Sequence, residues 1–154
     1  MYNKIGNARH MADEINDLVD KKLPISVDFD ATLCYPHFYP GILNENKPCF
    51  EVLKKWQKMG CMIILNTMRG GKELQDAVEW CKQRGFVFDA IGRNPTQDKW
   101  CSKEVYKCYS ILDIDDRNAG CPLSGEDYDG RGWVNWEEID KIYTPKITRL
   151  LKKG

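Results

Sequence analysis

Two short apolar runs, each ending in carboxylates, constrain this chain most. The first is PISVDFDATLC at residues 24–34, an apolar and partly β-branched run that leads into Asp28 and Asp30. The second is YSILDIDD, which ends in Asp115 and Asp116. Both runs are typical of strands buried on both faces of a sheet. If the two strands are parallel neighbours, their acids meet at one sheet edge, where ligands bind in open α/β sheets.

Helical and strand patterns alternate along the rest of the chain. This alternation predicts an α/β fold, a three-layer α/β/α sandwich with a mainly parallel, Rossmann-like sheet. The other predicted elements are a helix at 4–20, a helix from Pro48 to Gly60, strands at 61–65, 86–91 and 109–114, a helix at 72–84, a short helix from Ser102, a short strand at 132–136, and a helix at 137–152 with Pro145 as a candidate break.

The length of 154 residues fits one domain, 1–154. Within it, residues 1–22 are predicted to form a helical extension and residues 122–154 a C-terminal strand and helix. Residues 34–47 combine aromatics, prolines and a glycine, a pattern that predicts a loop or short hairpin beside the acids. We call residues 34–47 the flap, and its His37 is a candidate substrate contact.

Composition excludes several classes of protein. Lysine plus arginine equals aspartate plus glutamate, 23 each, so no overall field favours nucleic acid or an anionic membrane. No apolar run reaches the roughly 18 residues that span a bilayer, and the N-terminus has no signal-peptide core, which favours a cytoplasmic protein. The seven cysteines form no CxxC pair and are odd in number, which indicates reduced thiols.

Acids crowded at one sheet edge repel one another unless a cation lies between them. All-oxygen ligands favour a hard metal, and we expect Mg²⁺ as the cofactor. Thr67 follows the strand at 61–65, and Arg69 with two glycines then opens a helix. A hydroxyl, a guanidinium and helix N–H groups together form a seat for phosphate oxygens. Acids, metal and anion seat predict phosphoryl chemistry with an aspartate nucleophile.

The order of these motifs resembles the haloacid dehalogenase-like (HAD) superfamily of phosphohydrolases. The resemblance runs from DFDATL through a strand ending in Thr67 and a lysine to IDD, about residues 24–121. The stretches ILNTMRGGKELQDAVEWC and DIDDRNAG are similar to small bacterial and phage members. The family's glycine after the second acid is Ala31 here, which costs the turn backbone freedom.

The resemblance implies a role for each motif residue. Asp28 attacks phosphorus, and Asp30 protonates the leaving oxygen and then activates water. A lysine neutralises charge in the transition state. The implied metal ligands are Asp28, Asp30 through its backbone carbonyl, and Asp115 or Asp116; the implied phosphate-binding residues are Thr67, Met68, Arg69 and Lys103.

The choice of lysine depends on the predicted short helix. Lys103 is placed at the start of that helix, the end that faces the site in an alternating α/β layout. Lys107 would lie at the opposite edge of the sheet, and Lys99 is a further candidate. We therefore predict Lys103 as the active-site lysine.

The sequence leaves no room for a cap domain, only for the flap. An open site suits a large substrate, or closure by a partner subunit. The expected substrate is a small phosphoester or nucleotide, with no membrane partner. TMRG and DDR are similar to the phosphatase domain of polynucleotide kinase-phosphatases, so a 3′-phosphatase acting on nucleic-acid ends is an alternative.

Two further readings compete with a phosphatase. A phosphorelay receiver domain also clusters aspartates, a threonine and a lysine. It places a contiguous acid pair on the first strand and the phosphoacceptor on a middle one, opposite to the order here. A catalytically silent HAD-like binding protein is the second alternative. The natural substrate and the oligomeric state are left open.

Overall fold

A computed structural model describes residues 22–153. The predicted helix at 4–20, most of the N-terminal extension, lies outside these residues. Within them, the chain forms an α/β fold with a parallel sheet, which confirms that part of the predicted class. The elements are β1 Leu23–Val27, β2 Cys34–Tyr35, β3 Asn44–Glu45, α1 Cys49–Met59, β4 Cys61–Leu65, α2 Gly71–Gln83, β5 Ala90–Ile91, β6 Leu112–Ile114, β7 Leu123–Ser124, β8 Trp133–Val134 and α3 Trp136–Lys152.

Four strands form the main sheet in the order β5-β4-β1-β6, and all neighbours are parallel. All five residues of β1 are buried, as expected for a central strand covered on both faces. Because β1 and β6 are neighbours, their carboxyl ends lie at the same edge. The sheet therefore has the strand order that the acid pairs required.

The helices pack against one another through large aromatic side chains. Phe50 of α1 contacts Trp80 of α2, with ring centroids 6.0 Å apart. Trp56 of α1 contacts Trp136 of α3 and donates its indole N–H to the Thr144 hydroxyl over 2.8 Å. Thus α1 packs against both other helices of the described part. No helix within residues 22–153 has the length and hydropathy needed to cross a bilayer.

One predicted helix end is confirmed, a cap that was not predicted appears at Asn135, and the candidate break at Pro145 is not formed. The left-handed Gly60, with φ +116°, ends α1. The Asn135 side chain caps α3 by accepting a hydrogen bond from the Glu138 N–H. The helix continues through Pro145 to Lys152 without a break.

The segment before β6 differs from prediction. No helix starts at Ser102; a 3-10 helix, Gln97–Lys99, forms instead. The Gln97 amide accepts from the Tyr109 N–H and donates to the Lys107 carbonyl, both over 2.8 Å. The Gln97 side chain thus occupies backbone groups of Lys107 and Tyr109 that a helix or a longer strand would use for its own hydrogen bonds. The strand β6 begins only at Leu112.

The predicted strand at 86–91 and the flap have different outcomes. The strand at 86–91 shortens to Ala90–Ile91, although Phe86 stays buried. The flap forms a two-residue ladder between β2 and β3, which confirms the short hairpin.

Ala31 provides a stability prediction. Its φ of +53° lies in the left-handed region, which costs a residue with a Cβ about 1–2 kcal/mol. We expect Ala31→Gly to stabilise the protein by about 0.5–1 kcal/mol after the entropy of glycine is counted. In the matched control Ala77→Gly, inside α2, the same change should cost about 1 kcal/mol. Thermal melts measure both, and a lower Tm for Ala31→Gly would contradict the assignment.

Candidate active site

The sheet register brings together the acids that directly follow β1 and β6. Val27 pairs with Ile114 at the last position of each strand, and the Asp28 N–H donates to the Ile114 carbonyl over 2.9 Å. Asp28, Asp115 and Asp116 each offer a carboxylate oxygen, and these atoms all lie within 4.8 Å of one another. The predicted meeting of the two acid pairs is therefore present; we call these three residues the aspartate triad.

Burial and like charge raise the pKa of two members of the aspartate triad, Asp28 and Asp116. Burial, followed by the charge of Asp115, raises the pKa of Asp28 to about 8. Burial also raises the pKa of Asp116, with Asp115 adding to the shift and Arg131 opposing it from 3.5 Å. A divalent cation would relieve this repulsion, and carboxylate oxygens are the hard ligands that Mg²⁺ prefers. The residues present fit a magnesium ion.

Arg69 engages the carboxylate of Asp30. Nε and Nη2 of Arg69 donate to the two carboxylate oxygens over 2.8 and 2.7 Å. The Arg69 side chain is 1% exposed and that of Asp30 15%, so the ion pair is bidentate and buried. The Asp30 side chain does not belong to the aspartate triad. The prediction for Asp30 is a metal contact through its backbone carbonyl, and this stays a prediction.

A cavity of about 520 Å³ opens at this edge of the sheet. Every predicted site residue except Lys103 lines it. Thr67 is placed by β4, because the Asn66 N–H donates to the Val27 carbonyl over 2.9 Å. The Thr67 hydroxyl accepts from the Arg69 N–H over 3.1 Å. Met68 is 99% exposed at the mouth.

The predicted lysines lie elsewhere. Lys99, Lys103 and Lys107 are all exposed and do not line the cavity. The helix on which the choice of Lys103 depended is not formed. The arginines that line the cavity are Arg69 and Arg117. The backbone N–H of Arg117 donates to the Asp115 carboxylate over 2.8 Å.

Four residues that line the cavity were not among the site residues predicted from the sequence, although His37 was named as a candidate substrate contact. His37 and Tyr39 belong to the flap, whose aromatic content signalled a rim. Arg117 directly follows the acid pair in DDR, which was the available signal for it. Asn66 had no such signal, since it is one polar residue at a strand end.

The pKa of Asp28 gives a pH prediction. An unfolded aspartate titrates near 3.8, whereas the folded metal-free protein keeps this proton up to about pH 8. The folded state therefore holds the extra proton, and the stability of the metal-free protein should fall as pH rises from about 4 to 8. Because Mg²⁺ must displace that proton, it should raise Tm more at pH 9 than at pH 6. Equal Mg²⁺ shifts at both pH values would contradict this.

A solved protein from Bacteroides thetaiotaomicron, described as a conserved protein coded by locus, is similar to this chain. The two are 33% identical, with a TM-score of 0.65, and the match covers 81% of this chain and 92% of that chain. A scan against family models found no match, and a search of curated proteins found none. The description of the Bacteroides protein names no activity, so the chemistry rests on the site itself.

Proposed function

The chain belongs to the family of that conserved Bacteroides thetaiotaomicron protein, and we propose that it is a Mg²⁺-dependent phosphohydrolase of the HAD superfamily. The observation that carries the proposal is the aspartate triad at one sheet edge, beside the cavity that Thr67 lines. The proposal includes the finer fold, a three-layer α/β/α sandwich without a cap domain, in which the flap alone overhangs the site.

In the first step, the Asp28 carboxylate attacks the phosphorus of a phosphomonoester. The bond from phosphorus to the ester oxygen breaks, and that oxygen takes a proton from Asp30 and leaves as an alcohol. Asp30 must therefore enter this step protonated, with one of its oxygens released from Arg69. In the second step, water attacks the phosphorus of the aspartyl phosphate and passes a proton to the Asp30 carboxylate. Inorganic phosphate leaves, and the Asp28 carboxylate is regenerated.

The metal would be held by the Asp28 carboxylate, the Asp30 backbone carbonyl, and Asp115 or Asp116. When bound, it supplies positive charge beside the phosphoryl oxygens and offsets the repulsion within the triad. The Thr67 hydroxyl orients the phosphoryl group, and α2 begins four residues later in the chain, at Gly71.

Two alternatives remain proposals. A 3′-phosphatase acting on nucleotides or nucleic-acid ends uses the same residues, and the open cavity gives a large substrate access. A silent binding protein would keep the fold without turnover. The retention of Asp28, Asp30, Asp115 and Asp116 together, at the cost of like-charge repulsion, favours an enzyme.

The test is release of phosphate by purified protein with Mg²⁺. The panel is an aryl phosphate, sugar phosphates, nucleotides and oligonucleotides with a 3′-phosphate. We expect turnover of at least one substrate, loss of it in EDTA, and a fall of roughly 10²–10⁴-fold in Asp30→Ala. Inactivity across the whole panel would favour the binding protein, and unchanged turnover in Asp30→Ala would remove the role assigned to that residue.

Two substitutions test which side chain supplies positive charge to the transition state. Lys103→Ala and Arg117→Ala each remove one positive charge, one from outside the cavity and one from its lining. If Lys103 acts as the resemblance implies, its removal should lower kcat by about 10²-fold or more. If only Arg117→Ala lowers kcat, the charge comes from the lining arginine and the lysine prediction is wrong.

A further inference from the structure

We propose that Arg69 is a positioning residue that joins the tip of the flap to Asp30, so that the flap sets how Asp30 meets the leaving oxygen. This inference rests on the proposed function, since it assigns a part within that reaction. It adds a link between the segment over the site and the proton transfer inside it.

One guanidinium contacts both partners. Nη1 of Arg69 donates to the Pro40 carbonyl over 3.0 Å, and Nη2 donates to the Gly41 carbonyl over 2.9 Å. The same group holds both carboxylate oxygens of Asp30 through Nε and Nη2. A guanidinium is planar and its donors are fixed relative to one another. The flap tip therefore cannot shift far without changing the geometry at Asp30.

Two aromatic rings restrict the guanidinium further. Its central carbon lies 4.9 Å from the ring centroid of Phe29 and 5.2 Å from that of Tyr39. Phe29 lies between Asp28 and Asp30 in the sequence and is fully buried. Tyr39 belongs to the flap tip and is 54% exposed. Arg69 thus has one ring from the core and one from the flap against it.

The flap is also held near its first strand, by other residues. The His37 N–H donates to the Asp127 carboxylate over 2.8 Å. The Tyr35 ring stacks on Trp133, with centroids 4.6 Å apart. These contacts fix the start of the flap to the C-terminal part of the chain. The position of the tip is then set by Arg69.

The leaving group decides when this link matters. When the bond to phosphorus breaks, an alkoxide needs the proton of Asp30 to depart as an alcohol, whereas 4-nitrophenolate departs without one. A misplaced Asp30 should therefore slow the release of an alkyl alcohol and leave the release of nitrophenol nearly unchanged. A purely structural role of Arg69 would slow both reactions equally.

The experiment compares Arg69→Lys with the wild type on glycerol 2-phosphate and 4-nitrophenyl phosphate. Lysine keeps the charge but lacks the fork that reaches Asp30 and the flap together. We expect kcat/KM, which reports only the steps up to departure of the alcohol or phenol, to fall about tenfold more for glycerol 2-phosphate than for 4-nitrophenyl phosphate. We also expect chymotrypsin to cleave the exposed flap tip after Phe38 faster in the variant.

Arg84→Lys is the matched control, because Arg84 also lies over an aromatic ring, that of Trp80 at 3.7 Å, and does not line the cavity. It should change neither readout. If Arg69→Lys does not fold, Tyr39→Ala, which leaves Asp30 and Arg69 intact, should show the same direction with a smaller size.

An equal fall of kcat/KM on both substrates, or unchanged cleavage of the flap, would overturn the link between flap and Asp30. A wild type that hydrolyses neither substrate would count against the proposed function instead. The proteolysis result still reports on the link in that case, since it does not depend on turnover.

Discussion

In Asp28→Asn, phosphatase activity should fall by at least roughly 10³-fold while the metal-free protein becomes more stable. The activity falls because the carboxylate that we propose as the nucleophile is gone. The stability rises because an amide carries no charge beside Asp115, whose charge together with burial raises the pKa of Asp28 to about 8. At pH 9 in EDTA we expect a gain of roughly 1–3 kcal/mol, a rise of a few degrees in Tm.

The same variant should lose most of its response to Mg²⁺, since a ligand and its charge are removed together. Asp113→Asn is the control: this acid lies on β6, bonds to the hydroxyls of Ser26 and Ser110, and does not line the cavity. It should retain both turnover and the Mg²⁺ shift. If Asp28→Asn lowers Tm at pH 9 in EDTA, the triad does not carry the repulsion described above.

Arg69→Ala should be the most destabilising single change at this site. It leaves the Asp30 carboxylate partly buried without its cation, and breaking a buried pair from one side typically costs about 3–5 kcal/mol. Thermal or urea unfolding measures the loss. Arg84→Ala, which removes a partly buried arginine that contacts Trp80, should cost only about 1 kcal/mol.

A double-mutant cycle separates the ion pair from the flap contacts. Asp30→Ala with Arg69→Ala should cost less than the sum of the two single changes, by about 2–3 kcal/mol, because no uncompensated charge is left. Additive losses would mean that Arg69 stabilises the protein through Pro40, Gly41 and the rings rather than through Asp30.

The sequence determined the elements whose signals are local. The doubly buried β1, the end of α1 at Gly60 and the hairpin of the flap all follow from residue patterns within a few positions. The meeting of Asp28 with Asp115 was also predictable, because parallel strands bring acids at their carboxyl ends to one edge.

Only the tertiary structure decided the partners of individual polar side chains. The Gln97 side chain bonds to the backbone of Lys107 and Tyr109, next to the position where a short helix was predicted. Because that helix is not formed, the reason for placing Lys103 at the site is removed. Arg69, expected at the phosphate, has its guanidinium bonded to Asp30 and the flap. A buried amide or guanidinium bonds to whichever groups the fold brings within reach, and those groups are distant in sequence. No local pattern encodes those partners, which is why the meeting of the acids was predictable and the bonding partners of Arg69 and Gln97 were not.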